Sequence, residues 1–169
     1  MSDAARLRLN DAWLQCQRHR HHLEHALTAL RPLLPVSATQ LALYDDEAVQ
    51  DWDQFLLRFT KLQDTMGARL LPAVLEVLQE ALEDRPMIDK LNRLEKLGLI
   101  EHAHDWAQLR AIRNQLAHDY PQDEAIKAAW LNRAVAAVAV LDATLARLRP
   151  ICETHETHTS PPHWRTMHP

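Results

Sequence analysis

Glycine is nearly missing from this chain of 169 residues, which has only Gly67 and Gly98. An all-β fold needs many tight turns with left-handed backbone, so two glycines argue against one. Cysteine is equally scarce. Cys16 and Cys152 build no disulfide framework, and two thiols point to a reducing compartment rather than a stapled secreted domain. No apolar run approaches bilayer length, and Met1-Ser2-Asp3-Ala4-Ala5-Arg6 leads straight into an amphipathic pattern without the apolar core of a signal peptide. The expectation is a cytoplasmic protein with no membrane partner. A basic excess is also lacking: 19 Lys and Arg face 23 Asp and Glu, a formal net charge of −4. Broad non-specific nucleic-acid binding rests on many Lys and Arg contacts to phosphate, so this balance argues against that mode and leaves room only for a small basic site.

Leu and Ala dominate instead, the composition of a helical protein, in a length that suits one domain with a real core. Apolar spacing predicts a first helix over residues 2–30, with Leu9, Trp13, Cys16, Leu23, Ala26, Leu27 and Leu30 recurring at three- and four-residue steps. Arg20 interrupts that seam, Ser2 is the N-cap, and Arg31-Pro32-Leu33-Leu34-Pro35 is the stop. A second, longest helix is predicted over 46–82 along Trp52, Leu56, Phe59, Met66, Leu70, Ala73 and Val77, kinked at Pro72 because the period resumes beyond it. A short third helix carries Ile88, Leu91, Leu94 and Leu97, with Gly98 as left-handed C-cap. The fourth starts near Asp105 with Trp106, Leu109, Ile112 and Leu116 inward. The fifth spans about 123–149 through Ile126, Trp130, Ala137, Leu141, Leu145 and Leu148. The expected fold is all-α, an antiparallel up-down helical bundle of four main helices plus one short helix over residues 1–149, followed by a flexible tail at 150–169.

One octapeptide concentrates reactive groups: Arg113-Asn114-Gln115-Leu116-Ala117-His118-Asp119-Tyr120, directly before Pro121. Asn114 and His118 are four apart and share a helix face, whereas Arg113 points about 140° away from His118 and must reach round. Pro121 biases Tyr120 away from helical dihedrals, so the helix should end near His118 or Asp119 and leave imidazole and phenol at an accessible edge. A near-neutral imidazole can take the proton of a ribose 2′-hydroxyl or protonate the leaving oxygen. Arg113 can bind the non-bridging oxygens bidentately, and Asn114 can orient the ring or the phosphate. Together they suit cleavage of RNA without a metal or cofactor. One such His per chain means that acid and base most simply come from two chains across a twofold axis, hence a homodimer. The same residue types also serve structure. Arg and His complement a helix C-terminus, and Tyr can cap a core.

Arg113-Asn114 followed by His118-Asp119-Tyr120 late in a bundle helix resembles the HEPN superfamily, and the Tyr two residues after the His resembles its HepT-type toxin branch. Leu91-Asn92-Arg93-Leu94-Glu95-Lys96-Leu97-Gly98-Leu99-Ile100 and Trp106-Ala107-Gln108-Leu109-Arg110 fit that branch too. The resemblance implies an all-helical dimer whose two motifs meet in a cleft, with Arg113 and His118 as ribonuclease residues and Asn114 in the polar position. It implies a type VII toxin–antitoxin pair in which a minimal nucleotidyltransferase antitoxin adds AMP to Tyr120. The anionic, bulky adduct beside the cleft would block it. Some relatives act instead as non-catalytic, substrate-binding partners of the transferase, and a plain helical interaction module is a third possibility. The RNA site of an acidic chain must be local, with Arg110 and Arg133 as further candidates.

The segment Arg18-His19-Arg20-His21-His22 with His25 contains His19/His22, His21/His25 and His22/His25 pairs. No carboxylate or Cys completes a tetrahedral set, so a solvated helix face is expected rather than a metal site. The same holds for Cys152, His155 and His158. Trp52, Trp106 and Trp130 have core spacing, and Asp51, Asp53 and Asp64 read as outer-face charges.

Overall fold

The computed structural model describes residues 2–80, 82–117 and 123–155, and every regular element among them is helical. Helix α1 spans Asp3–Leu30. The Ser2 hydroxyl accepts from the Ala5 N–H at 3.2 Å, and Asp3 places negative charge on the first turn, where the helix dipole favours it. Its buried stripe holds Leu9, Trp13, Cys16, Leu23, Ala26 and Leu30. Arg20 does sit in that seam, and its charge is matched there: Nε and Nη2 donate to the two carboxylate oxygens of Asp142 at 2.9 and 3.1 Å.

A 3₁₀ turn at Arg31–Leu33 ends α1, and the one-turn helix α2 (Ala38–Leu41) starts on a Ser37/Gln40 capping box. The Asn132 amide fastens this connection from the far side. It accepts from the Val36 N–H and donates to the Val36 carbonyl, both at 2.8 Å.

Helix α3 (Asp46–Thr65) buries Trp52, Phe55, Leu56, Phe59 and Leu62. It runs through a π-turn at Met66–Leu70 into α4 (Leu71–Val77). The sequence placed the irregularity at Pro72, but it lies one turn earlier. Pro72 has no N–H and its ring would strike the carbonyl four residues back. The wider turn, with the Leu71 N–H reaching the Met66 carbonyl, admits the ring without a sharp break. The segment also ends at Val77 rather than Leu82, in a turn where Gln79 takes φ 60°.

Helix α5 (Met87–Lys96) buries Leu91 and Leu94, while Ile88 and Leu97, expected inward, are exposed. Gly98 at φ 71° closes it. The Gly98 N–H reaches the Glu95 carbonyl and the Leu99 N–H the Leu94 carbonyl, both at 2.9 Å, the double bond pattern that only a left-handed residue permits.

Helix α6 spans Ala103–Ala117, starting two residues before the expected Asp105. Helix α7 spans Glu124–Thr154, capped by Asp123, whose carboxylate accepts from the Ala125 and Ile126 N–H groups. Ile126 is exposed, but Leu141, Leu145 and Leu148 are buried as expected. The helix does not stop before Pro150. Cys152, buried one turn beyond Leu148, continues the apolar stripe, so packing holds the last turn in place despite the missing proline donor. Residues 150–154, expected in a tail, are therefore helical, and the rest of that tail beyond His155 lies outside the described residues.

The core forms where α1 packs on α3 and α4, α3 on α6, and α6 on α7, with α5 against α4 and α6. Cys16 and Cys152 are both buried thiols. Burial, then the neighbouring Cys152, pushes the Cys16 thiol up, so it is protonated and unreactive at neutral pH. No helix among the described residues is long and apolar enough to cross a membrane.

Candidate functional site on the last turns of α6

Trp106, Leu109 and Ile112 bury one side of α6 and present Arg110, Arg113 and Asn114 toward its surface. Tight docking is what holds that helix. The Trp106 indole lies over Gly67, where an added Cβ would come within 3.1 Å of Cζ2. One of the two glycines therefore exists to let an indole approach a helix backbone.

Arg113 leans onto α3. Its Nε donates to Asp64 Oδ1 at 2.9 Å and its Nη2 to Asp64 Oδ2 at 2.8 Å, a bidentate fork. Nη1, the third corner, donates to Asn114 Oδ1 at 3.2 Å. Asp64, read from the sequence as an outer-face charge, is thus the partner of the leading candidate residue. The carboxylate raises the Arg113 pKa further, chiefly through these hydrogen bonds, so the guanidinium is a permanent cation. The pair is half-exposed, at 31% for Arg113 and 42% for Asp64. Water screens it, and its contribution to stability is at most about 1 kcal/mol. It orients more than it stabilises.

The remaining expected residues are dispersed. Arg110 is exposed on α6. Arg133 lies over the Trp130 ring, 4.7 Å from its centroid, and lines a groove of 290 Å³ between α6 and α7 with Gln108, Leu109 and Ile112. Arg113 and Arg133 thus serve opposite flanks of α6, one toward α3 and one toward α7. His118 and Tyr120, with Asp119 and Pro121, lie outside the described residues.

Against protein-family models, curated proteins and solved structures, this chain has no match. Whatever the site does must be argued from its own residues.

The histidine segment of α1 is not a simple solvated face. His25 is exposed, but His19 is half-buried, and its Nδ1 lies 3.2 Å from Arg58 Nη1 on α3. Because Arg can only donate, Nδ1 accepts and the ring proton is on Nε2. Burial first, then Arg58, Lys61, Arg18 and His22, hold His19 down to about 4. His22 is lowered for similar reasons, and the two rings of His21 and His22 meet edge-on at 5.2 Å. Among the described residues no group of three or more His, Cys, Asp or Glu is placed to hold a metal ion.

A pH dependence follows. A His19 that is neutral in the fold but titrates near its ordinary 6.5 when unfolded favours the fold above pH 6.5, and loses that advantage as pH falls toward 4. Since the ring is only half-buried, the effect should be on the order of 1 kcal/mol. His19→Gln retains an acceptor without titrating, so its thermal melts should lose less stability between pH 7 and pH 4.5 than those of the wild type. Parallel losses in both proteins would refute the assignment.

Sequence reasoning missed Asp64 and Arg58 for one reason. Both partners are charges on α3 that look outward by periodicity, and only the packing of α1 and α6 against α3 reveals what they face. A spacing signal did exist: Arg58, Lys61 and Asp64 recur every third residue.

Proposed function

We propose that this chain is a HepT-like HEPN toxin, a metal-independent endoribonuclease that acts as a homodimer and is silenced by AMP addition to Tyr120 by a minimal nucleotidyltransferase antitoxin. The observation that carries it is the Arg113–Asn114 pair in the last turns of α6, joined side chain to side chain at 3.2 Å, with Asn114 four residues ahead of His118. The reading takes α1, α3–α4, α6 and α7 as the four main helices of an antiparallel up-down bundle, with α5 as the short fifth.

In this reading His118 of one protomer removes the proton of a ribose 2′-hydroxyl, and that oxygen attacks the adjacent phosphorus. The bond from phosphorus to the 5′-oxygen breaks, and His118 of the second protomer protonates that oxygen. The products are a 2′,3′-cyclic phosphate and a 5′-hydroxyl. Arg113 neutralises the charge that grows on the non-bridging oxygens.

A second reading is favoured by one specific feature. Asp64 accepts from Nε and Nη2 of Arg113 and Asn114 accepts from Nη1, which leaves one N–H on each of Nη1 and Nη2 toward a ligand. A non-catalytic subunit that binds substrate for, or presents Tyr120 to, the transferase would tolerate this arrangement.

The two separate in one experiment. Purified protein in excess chelator should degrade RNA, and His118→Ala should abolish degradation while circular dichroism stays helical. Incubation with the transferase and ATP should add one or more AMP masses, removed by Tyr120→Phe. Equal RNA degradation in wild type and His118→Ala would overturn the nuclease assignment. An unmodified Tyr120 would overturn the silencing mechanism.

A further inference from the structure

Eight arginines among the described residues pair with carboxylates, from Arg8 with Glu76 to Arg149 with Glu153. Arg58 does not. Among the described residues its hydrogen-bonding neighbour is the His19 imidazole at 3.2 Å, and its buried Nε has no partner there. Arg18 and Lys61, exposed beside it, make no ion pair among the described residues either. In a chain with more acids than bases, cations have gathered here with no carboxylate paired to them among the described residues. Burial first, and these cations second, hold His19 and His22 toward the neutral form, and burial and then Arg18 lower even Arg58. Such a cluster is costly unless an anion enters it, and the outer N–H groups of a guanidinium beside an imidazole match the oxygens of a phosphate.

The cluster also shares helix α3 with the candidate site, with Arg58 about 9 Å along the axis from Asp64 and about 120° around it. Arg58, Lys61 and Asp64 stand three residues apart on α3, each step displaced about 4.5 Å along the axis and about 60° around it. This row runs from the α1 histidines to the carboxylate that holds Arg113.

We propose that Arg18, His19, His22, Arg58 and Lys61 form a phosphate-binding subsite that holds the RNA backbone at a distance from the Arg113 site. The phosphate chemistry stands on the cluster itself, and its source in RNA rests on the ribonuclease reading. The subsite reads no bases; it fixes the strand's path across α3 by charge.

The test uses the full chain and a short 2′-O-methyl oligoribonucleotide, whose blocked hydroxyls prevent cleavage. Fluorescence anisotropy should show Arg58→Gln/Lys61→Gln binding about tenfold more weakly than wild type, with a log–log salt slope smaller by about one for each cation removed. Exposed Lys61→Gln alone should fold normally and still lower the slope. Inorganic phosphate at millimolar concentration should shift the His19 and His22 ring resonances in wild type and not in Arg58→Gln.

Unchanged affinity and slope in the variants, with unmodified RNA still cut, would overturn the subsite and leave the nuclease reading standing. Variant-sensitive oligonucleotide binding in a protein that cuts no RNA would retain the subsite and remove the nuclease reading. A phosphate shift without any oligonucleotide binding would overturn RNA as the ligand.

Discussion

On the proposed ribonuclease reading, Arg113→Ala should slow RNA cleavage by roughly 10²–10³-fold, the usual loss when one donor to a developing anionic charge is removed. The fold should barely notice, because the Arg113–Asp64 fork is half-exposed and worth at most about 1 kcal/mol. The informative companion is Asp64→Asn. In the structure Asp64 occupies Nε and Nη2, the edge of the guanidinium best shaped for a phosphate. An amide gives up the negative charge and one acceptor oxygen, so it frees that edge while still filling the space.

Opposite signs are therefore expected from the two halves of one ion pair. Arg113→Ala should lose activity, and Asp64→Asn should bind RNA several-fold more tightly, with a lower KM. Single-turnover cleavage and anisotropy with an uncleavable oligonucleotide measure both. If Asp64→Asn instead loses activity together with Arg113→Ala, the carboxylate is needed to aim the guanidinium, and competition between Asp64 and phosphate is disproved. Full activity in Arg113→Ala would remove Arg113 from the site.

The largest effect on stability is expected at Trp106→Ala, about 3–5 kcal/mol, measured by chemical unfolding. The indole is 2% exposed and rests on the Gly67 backbone, so truncation opens a cavity between α6 and the π-turn. The reverse substitution probes the same contact from the other side. Gly67→Val places methyls where the ring must be, since even a Cβ there would lie 3.1 Å from Cζ2, and overpacking costs about 1–3 kcal/mol. Because Trp106 anchors the helix that carries Arg113 and Asn114, both changes should also loosen the site. A double variant, Gly67→Val with Trp106→Ala, should be less destabilised than the sum of the two singles, since the cavity of one accepts the bulk of the other. Strict additivity would show that the two residues do not share a contact.

The buried face of each long helix was legible in the sequence because burial repeats with the helix period. Leu9, Trp13, Cys16, Phe59, Leu109 and Leu141 are all where three- and four-residue spacing puts them. The caps at Ser2 and Gly98 were equally legible, since each depends on a local conformation that its own side chain, or lack of one, permits. Proline was harder. At Pro72 the irregularity moved one turn back into a π-turn, and at Pro150 the helix ran on to Thr154, because packing of Leu70 and Leu71 in one case and Cys152 in the other outweighs one missing backbone donor.

Charges were hardest, and there the limit is physical. An apolar side chain reports its burial by period alone, but an ion pair between helices depends on crossing geometry that no spacing encodes. By itself the sequence determined an all-α chain, its apolar faces, its caps, and the octapeptide that groups Arg113, Asn114, His118 and Tyr120. Only the tertiary structure decided that Asp64 grips Arg113, that Gly67 makes room for Trp106, and that Arg58 meets His19 and pairs with no carboxylate among the described residues. Those contacts join residues 39 to 49 positions apart, and they exist only once α1 and α6 have docked on the α3 segment.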